Sequence, residues 1–242
     1  MRKRADLLLV ERGFFDSRAK AQAAIAAGLV TADGRPVRKA SEEIAPGAAI
    51  TAEPAHPYVS RGGVKPAAAL DTFGIDPAGR TCLDLGASTG GFTQVLLSRG
   101  AARVFAVDVG HGQLHPSVAA DPRVLALEDT DARRLTRDDI PIPVDLVVAD
   151  VSFISLALVL PPVLGLCAEE AALVALIKPQ FEAGRAHLRK GIVRDRAVHE
   201  AVCADIAAHV RALGFAVLGV IPSPIAGGDG NREFLIAARR EK

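Results

Sequence analysis

Apolar positions along this chain follow two rhythms, and the change between them divides the sequence. From residue 1 to about 52 the apolar groups are short and broken by turn residues. Residues 4–11 read as a short helix. Ser17 is placed to cap a second helix over 18–27, which Gly28 ends. Leu29-Val30-Thr31, the turn Ala32-Asp33-Gly34-Arg35 and Val37 predict a hairpin, and Pro46-Gly47 precedes a last strand at 49–52. A stretch holding proline and histidine, Glu53-Pro54-Ala55-His56-Pro57, then leads to Ser60-Arg61-Gly62-Gly63. Beyond it, helical patterns alternate with apolar runs. A helix is predicted over 66–73, stopped by Gly74, with others at 91–99, 155–166 and 196–213. Strands are predicted at 81–85, 103–107, 123–127, 144–149, 171–177, 216–221 and 233–238. Near-continuous runs such as Val144-Asp145-Leu146-Val147-Val148-Ala149 suit strands covered on both faces of a mainly parallel sheet. The pattern therefore predicts a small α+β module at 1–52, a linker at 53–63, and an α/β domain at 64–242 with a doubly wound, seven-stranded sheet.

Composition changes this picture in two places. The 242 residues are 50% hydrophobic and 24% charged, enough for one large core and a small one. Formal charge is only +1, from 29 basic and 28 acidic residues, so nucleic-acid affinity has to come from a local patch. Residues 1–40 supply one, with nine basic residues against four acidic, a local +5. Cys82, Cys167 and Cys203 lie far apart in apolar surroundings without metal-ligand spacing, which predicts neither disulfide nor metal site and fits a reducing cytoplasm. The apolar run at 7–10 is too short for a signal peptide. The uncharged stretch 151–168 is interrupted by Pro161-Pro162, so it reads as a strand end and a short helix rather than a membrane span. The chain is expected to be cytoplasmic and monomeric.

The stretch DLGASTGGF, from Asp84 to Phe92, allows two chemistries. Gly86-Ala87-Ser88-Thr89-Gly90 spells G-x-S-x-G, the nucleophile elbow of serine hydrolases. It also reads as a glycine-rich strand-to-helix loop that lets a nucleotide-like cofactor approach the backbone. An elbow follows a central strand, whereas this loop follows the first strand of its domain. His187, His199 and His209 remain in the right chain order for a base. The cofactor reading requires an acid at the end of the next strand, about 20 residues on, and Val104-Phe105-Ala106-Val107-Asp108 delivers it. The third strand ends near Glu128-Asp129-Thr130-Asp131, with Asp131 the preferred contact. Asp-x-Gly followed by small residues is similar to the S-adenosylmethionine loop of class I methyltransferases. That likeness implies a donor site built from Asp84, Gly86, Ala87, Ser88, Thr89, Gly90, Gly91, Phe92, Asp108, Asp131 and Asp150.

The remaining strand ends carry Asp150, Lys178 in Leu176-Ile177-Lys178-Pro179-Gln180-Phe181, and Glu233 in Asn231-Arg232-Glu233-Phe234. With Lys65 ahead of the first strand they make a Lys-Asp-Lys-Glu set that resembles the FtsJ-like ribose 2′-O-methyltransferases. The N-terminal stretch ADLLLVERGFFDSRAKAQAAIAAGLVTADGRPVRK resembles the S-four-like RNA-binding domain, which implies RNA contacts from Arg2, Lys3, Arg4, Arg18, Lys20, Arg35, Arg38, Lys39 and, in the linker, Arg61. Through SRGGVK, DLGASTGGF, VVADVSFIS, LIKPQFE and GNREFL the chain resembles the TlyA family of hemolysin A-like rRNA 2′-O-methyltransferases over nearly its whole length. The resemblance implies a Rossmann-like class I methyltransferase that uses Lys65, Asp150, Lys178 and Glu233 on cytidine ribose of ribosomal RNA or ribosomal subunits. Its least typical stretch is 128–134, where Asp131 stands at an Asn-like position. Lys178 is the expected base, or the group that holds the hydroxyl and stabilises the developing oxyanion. Phe153 and Phe181 are placed to stack on a base or to pack beneath the loop. Two rival readings are a membrane-active hemolysin, which needs an exposed apolar segment, and a non-catalytic RNA-binding protein.

Overall fold

A computed structural model describes residues 2–240, apart from the side chain of Arg185. Met1, Glu241 and Lys242, the ends of the expected domains, lie outside the described residues. The chain forms two compact units, residues 1–61 and 62–242.

In the first unit β1 (Lys3–Arg4) leads into α1 (Ala5–Glu11), and α2 (Arg18–Ala26) follows with Ser17 Oγ accepting from Lys20 N at 3.4 Å. The two helices pack on each other over Leu8, Leu9, Phe15 and Ile25, all buried. A fully buried leucine contributes about 1.5–3 kcal/mol, so these few residues hold the unit. The predicted hairpin is β2 (Val30–Ala32) and β3 (Arg35–Pro36). Asp33 and Gly34 both take positive φ, 50° and 74°, the conformation that a two-residue turn matched to the strand twist requires. Val37 lies beyond the hairpin as a buried residue. The strand β4 (Glu43–Ile44) pairs with β1, and β5 (Ile50–Ala52) pairs with β2. β1 and β4 are two residues each, too short for any periodicity to announce them.

A 3-10 turn, Arg61–Gly63, begins on the last residue of the first unit, and the second continues with α3 (Val64–Phe73), two residues ahead of the expected start, which places Lys65 in the first helical turn. Then come β6 (Thr81–Leu85), α4 (Gly91–Ser98), β7 (Arg103–Val107), α5 (Pro116–Ala119), β8 (Val124–Leu127) and β9 (Val144–Ala149). They are followed by α6 (Leu156–Leu164), β10 (Cys167–Ile177), α7 (Pro179–Glu182), α8 (Arg196–Ala212), β11 (Phe215–Pro222) and β12 (Phe234–Arg240). The seven strands line up as β11-β12-β10-β9-β6-β7-β8. Pairs from β10 to β8 are parallel, and β12 runs antiparallel between β10 and β11. Leu83, Phe105, Val147 and Leu173 on one face meet α6 and α8, while α3 and α4 cover the other. This is the doubly wound α/β fold that the apolar runs predict.

β10 starts at Cys167 rather than 171, its register broken between Cys167 and Ala172 where Glu169 and Glu170 turn outward. Pro161 and Pro162 sit in the last turn of α6. Among the described residues no helix is long and apolar enough to cross a membrane.

Candidate active site

The parallel strands β6, β7, β9 and β10 end on one side of the sheet, where an open α/β sheet holds its ligands. The loop after β6 is pinned there, since Gly86 N and Ala87 N both donate to Val107 O at 2.9 and 3.1 Å. Two of its glycines are dictated by space as well as backbone. Gly86, at φ 78°, would place a Cβ 2.6 Å from Asp150 O, and Gly90, at φ 88°, would place one 2.9 Å from Leu114 Cδ2. Ser88 has φ 46°, donates its N–H to Asp108 Oδ2 at 2.8 Å, and directs its hydroxyl to Gln113 Oε1 at 3.1 Å. That partner is an amide, not a base. His199 is buried with Nε2 on Val193 O at 3.0 Å. Among the described residues no histidine bonds the Ser88 hydroxyl, so the G-x-S-x-G string lacks the base that a triad needs.

An open cavity of about 870 Å³ adjoins the loop. Gly86, Ser88, Asp108, Asp131 and Asp150 line it, while Asp84, Ala87, Thr89, Gly90, Gly91 and Phe92, also expected there, do not. Asp84 shows why, because alternation along β6 sends its side chain to the α4 face. There it is 0% exposed, with Oδ2 accepting from Thr93 Oγ1 at 2.6 Å and Oδ1 without a hydrogen-bond partner. Burial, reinforced by the charges of Asp150 and Asp108, pushes its carboxyl up to about 7 against the bond from Thr93. Asp108 lies in the cavity wall with Oδ1 accepting from Gly110 N at 2.7 Å, so each of its oxygens keeps acceptor capacity for a ligand. Asp131 is gripped by the Arg133 guanidinium, which lowers its carboxyl to about 2. Three exposed apolar side chains, Val109, Phe153 and Leu158, border the same cavity at 72%, 90% and 60% exposure. The sequence signal for Val109 was its place just after a strand-end acid; nothing marked Leu158. Phe153 has φ 64° and its ring lies 5.0 Å from that of Phe181, so the exposed ring is held out rather than packed beneath the loop.

The four charged residues expected at the strand ends come together. Lys178 Nζ meets Asp150 Oδ1 at 2.5 Å and Ser152 Oγ at 2.8 Å. Lys65 Nζ lies 3.4 Å from Asp150 Oδ2 and 2.8 Å from Glu233 Oε2. Asp150 thus bridges both lysines, and Lys65 bridges both carboxylates. Side chains of the lysines are 9% exposed and Glu233 4%, while Asp150 opens at 19% toward the cavity it lines. Two positive and two negative charges balance, as charges withdrawn from water must. Sequence reasoning overlooked Glu182, whose carboxylate accepts from Ser155 Oγ at 2.5 Å and Leu156 N at 2.8 Å. It caps α6 from the element after β10, which ties the loop carrying Ser152 and Phe153 to the end of the strand carrying Lys178. None of the cysteines is an activated nucleophile, since burial pushes Cys82 up to about 12 and Cys167 and Cys203 to about 11.

In the N-terminal unit the basic residues divide. Arg4 and Arg18 both bind the carboxylate of Asp6, a residue with no exposure, and Gln22 adds a further bond. Lys3 pairs with Glu11 and Lys20 with Asp16. Arg2, Arg35, Arg38 and Lys39 are exposed, and no described ion pair takes them up; Arg61 is exposed in its 3-10 turn. Arg35, Arg38 and Lys39 thus gather in β3 and the segment that follows it, with Arg2 ahead of β1.

Comparison with known proteins agrees with this anatomy. The FtsJ-like methyltransferase family matches residues 58–240, and the S4 domain matches residues 3–50. A methyltransferase carrying an N-terminal S4 domain is the class of enzyme that fold and site define. The chain is 46% identical over 243 residues, 99% of its own length and 91% of the relative's, to the 16S/23S rRNA (cytidine-2′-O)-methyltransferase TlyA of Mycobacterium tuberculosis. It is 39% identical to Hemolysin A of Brachyspira hyodysenteriae over 96% of this chain and 98% of that protein. A solved structure from Streptococcus thermophilus named as a hemolysin has TM-score 0.79 at 39% identity, covering 100% of this chain and 89% of that one. A SAM-dependent methyltransferase from Aquifex aeolicus, 18% identical with TM-score 0.52 over 76% of this chain and 94% of that one, shares the fold. The chain belongs to the TlyA family.

Proposed function

We propose that this enzyme methylates the ribose 2′-hydroxyl of a cytidine in ribosomal RNA, with S-adenosylmethionine as donor. The observation that carries the reading is the buried Lys65-Asp150-Lys178-Glu233 cluster beside a cavity at the carboxyl ends of the strands. Ribosomal RNA and cytidine come from the name of the Mycobacterium tuberculosis relative. The cavity fits the donor by its chemistry. Asp108 offers acceptors suited to ribose hydroxyls, Val109 and Leu158 offer apolar surface suited to an adenine, and Gly86 with Ser88 leaves backbone close at hand. Asp131 joins that site only by sharing its carboxylate with Arg133. Bound there, S-adenosylmethionine supplies an electrophilic methyl group on a sulfonium.

The residues of the chain do the rest. A ribose hydroxyl is a weak nucleophile because its proton is held far above neutral pH. Lys178 has acceptors at Asp150 and Ser152, which leaves the third of its N–H bonds for the hydroxyl oxygen. In that role it orients the oxygen and stabilises its developing negative charge while the oxygen–methyl bond forms and the methyl–sulfur bond breaks, the hydroxyl proton passing to water in the open cavity. Asp150 and Glu233 fix the two lysines in place. Phe153, 90% exposed in a conformation that non-glycine residues seldom adopt, offers a face on which the target base stacks. Arg2, Arg35, Arg38 and Lys39 are the side chains best placed to hold RNA phosphates, since Arg4 and Arg18 are taken by Asp6.

The test is transfer of labelled methyl from S-adenosylmethionine to naked ribosomal RNA, isolated subunits and whole ribosomes. Label in at least one of these is expected, and its absence from all three contradicts the reading.

A further inference from the structure

The turn ahead of β12 carries contacts for which the reaction has no use. Gly227 N donates to Asn231 O and Gly230 N to Gly227 O, both at 3.0 Å, which closes the turn. Asn231 is 1% exposed, an unusual place for an amide unless it is fully engaged. Its Oδ1 accepts from Val193 N at 3.2 Å and its Nδ2 donates to Gly191 O at 3.0 Å. Val193 O in turn accepts from His199 Nε2 at 3.0 Å, and the His199 ring leans on Phe234 with centroids 5.6 Å apart. The stretch from Gly191 to His199, distant in sequence, is thereby bolted to the residues flanking Glu233.

Gly227 faces the carboxylate itself. A Cβ built on it would lie 2.6 Å from Glu233 Oε1 and 3.2 Å from its Cδ. Unlike Gly230, at φ 80°, Gly227 is not in the left-handed region, so its backbone accepts an alanine without strain. The glycine is required for space alone. Glu233 cannot yield freely, because it is 5% exposed and its other oxygen meets Lys65 at 2.8 Å.

We propose that Gly227 and Asn231 are positioning residues for Glu233: the turn anchored by the Asn231 amide forms the wall behind the carboxylate, and the missing side chain of Gly227 sets where it meets Lys65. The inference rests on the cluster being the reaction centre.

The experiment compares wild type with Gly227→Ala for methyl transfer to RNA, donor affinity by calorimetry, thermal stability, and a crystal structure of the variant. The added methyl pushes Glu233 away from Lys65, and misplacement on the ångström scale lowers kcat by about tenfold to a hundredfold. Donor Kd, RNA KM and Tm stay near wild type, since Gly227 touches neither ligand in the proposed site nor strained backbone. In a Glu233→Asp background, where the carboxylate is one methylene shorter, Gly227→Ala adds little further loss. Asn231→Ala lowers kcat in the same direction by slackening the turn. A kcat for Gly227→Ala within about twofold of wild type overturns the proposal, as does a rise in Kd and KM together with a fall in Tm. If wild type transfers no methyl group, the functional reading fails instead. The crystal structure then decides the positioning separately, and an unmoved Glu233 in the variant overturns it.

Discussion

Asp6 in the N-terminal unit and Asp150 in the methyltransferase unit each lie between two cationic side chains, but the surroundings invert their roles. Around Asp6 the acid is wholly buried while Arg4 and Arg18 are about half exposed, at 45% and 52%. Two guanidinium forks and Gln22 take up the carboxylate, so it offers nothing to a ligand. Hydrogen bonds, that from Arg4 foremost, hold its carboxyl well below the usual carboxylate range. Around Asp150 the lysines are the buried partners, and the acid opens on the cavity. Lysine ammonium groups are compact point charges with three donors, and Lys178 still has one to give. A buried ion pair alone is thus no sign of a site. What distinguishes one is an unspent donor next to space for a substrate.

The difference can be broken from either side. The largest effect is expected from Lys178→Ala, which lowers the single-turnover rate of methyl transfer by about 10²–10⁴-fold while donor affinity, read by calorimetry, stays near wild type. Asp6→Ala acts on the other cluster and on a different quantity. It lowers unfolding free energy by about 2–3 kcal/mol, less than for a fully buried pair because both arginines return easily to water. Denaturation at several pH values checks the sign. The depressed folded value of Asp6 stabilises above the normal carboxylate range, so the gap between wild type and variant closes as pH falls below about 4.

Replacing Arg35, Arg38 and Lys39 together by alanine weakens RNA binding by roughly tenfold or more. It also flattens the dependence of log K on log salt by roughly 0.7–0.9 for each phosphate that is no longer neutralised. The same change at Lys3 and Lys20, which are already paired, has the smaller consequence. The smallest effect belongs to Asp84, a buried carboxylate with no cation. Between 3.8 and about 7 the folded state holds a proton that the unfolded state has released, so stability falls as pH rises through that window. Asp84→Asn should therefore raise Tm at pH 8 by a few degrees relative to wild type, with no such gain at pH 4, as followed by thermal unfolding.

Much of this architecture was legible because parallel strands are apolar throughout and end abruptly. Val144-Asp145-Leu146-Val147-Val148-Ala149 stops at Asp150, and the run before Lys178 stops there, so the charged residues of the site announce themselves as the first polar groups after buried strands. Glu233 was legible as the acid that opens the last strand, whereas Lys65, ahead of the first strand, was legible only through the family resemblance. The illegible part consists of contacts between residues far apart in sequence. Glu182 capping α6 and Asn231 holding Gly191 and Val193 follow no local pattern. The pairing of Arg4 and Arg18 with Asp6 was hidden for the same reason, because the burial of Asp6 appears only once α1 packs on α2. The buried bond of Asp84 to Thr93 on α4 was equally hidden in the donor-loop pattern, although strand alternation allows it.

The central claim, that the lysines and carboxylates at the strand ends act on a ribose hydroxyl, is tested most directly by where the methyl group sits. Alkaline hydrolysis cleaves RNA through attack of each 2′-oxygen on the neighbouring phosphodiester, so a 2′-O-methyl group protects one linkage. RNA labelled by the wild-type enzyme should release its label in an alkali-stable dinucleotide beginning with cytidine. Label recovered instead in a mononucleotide, on a methylated base, would contradict the account.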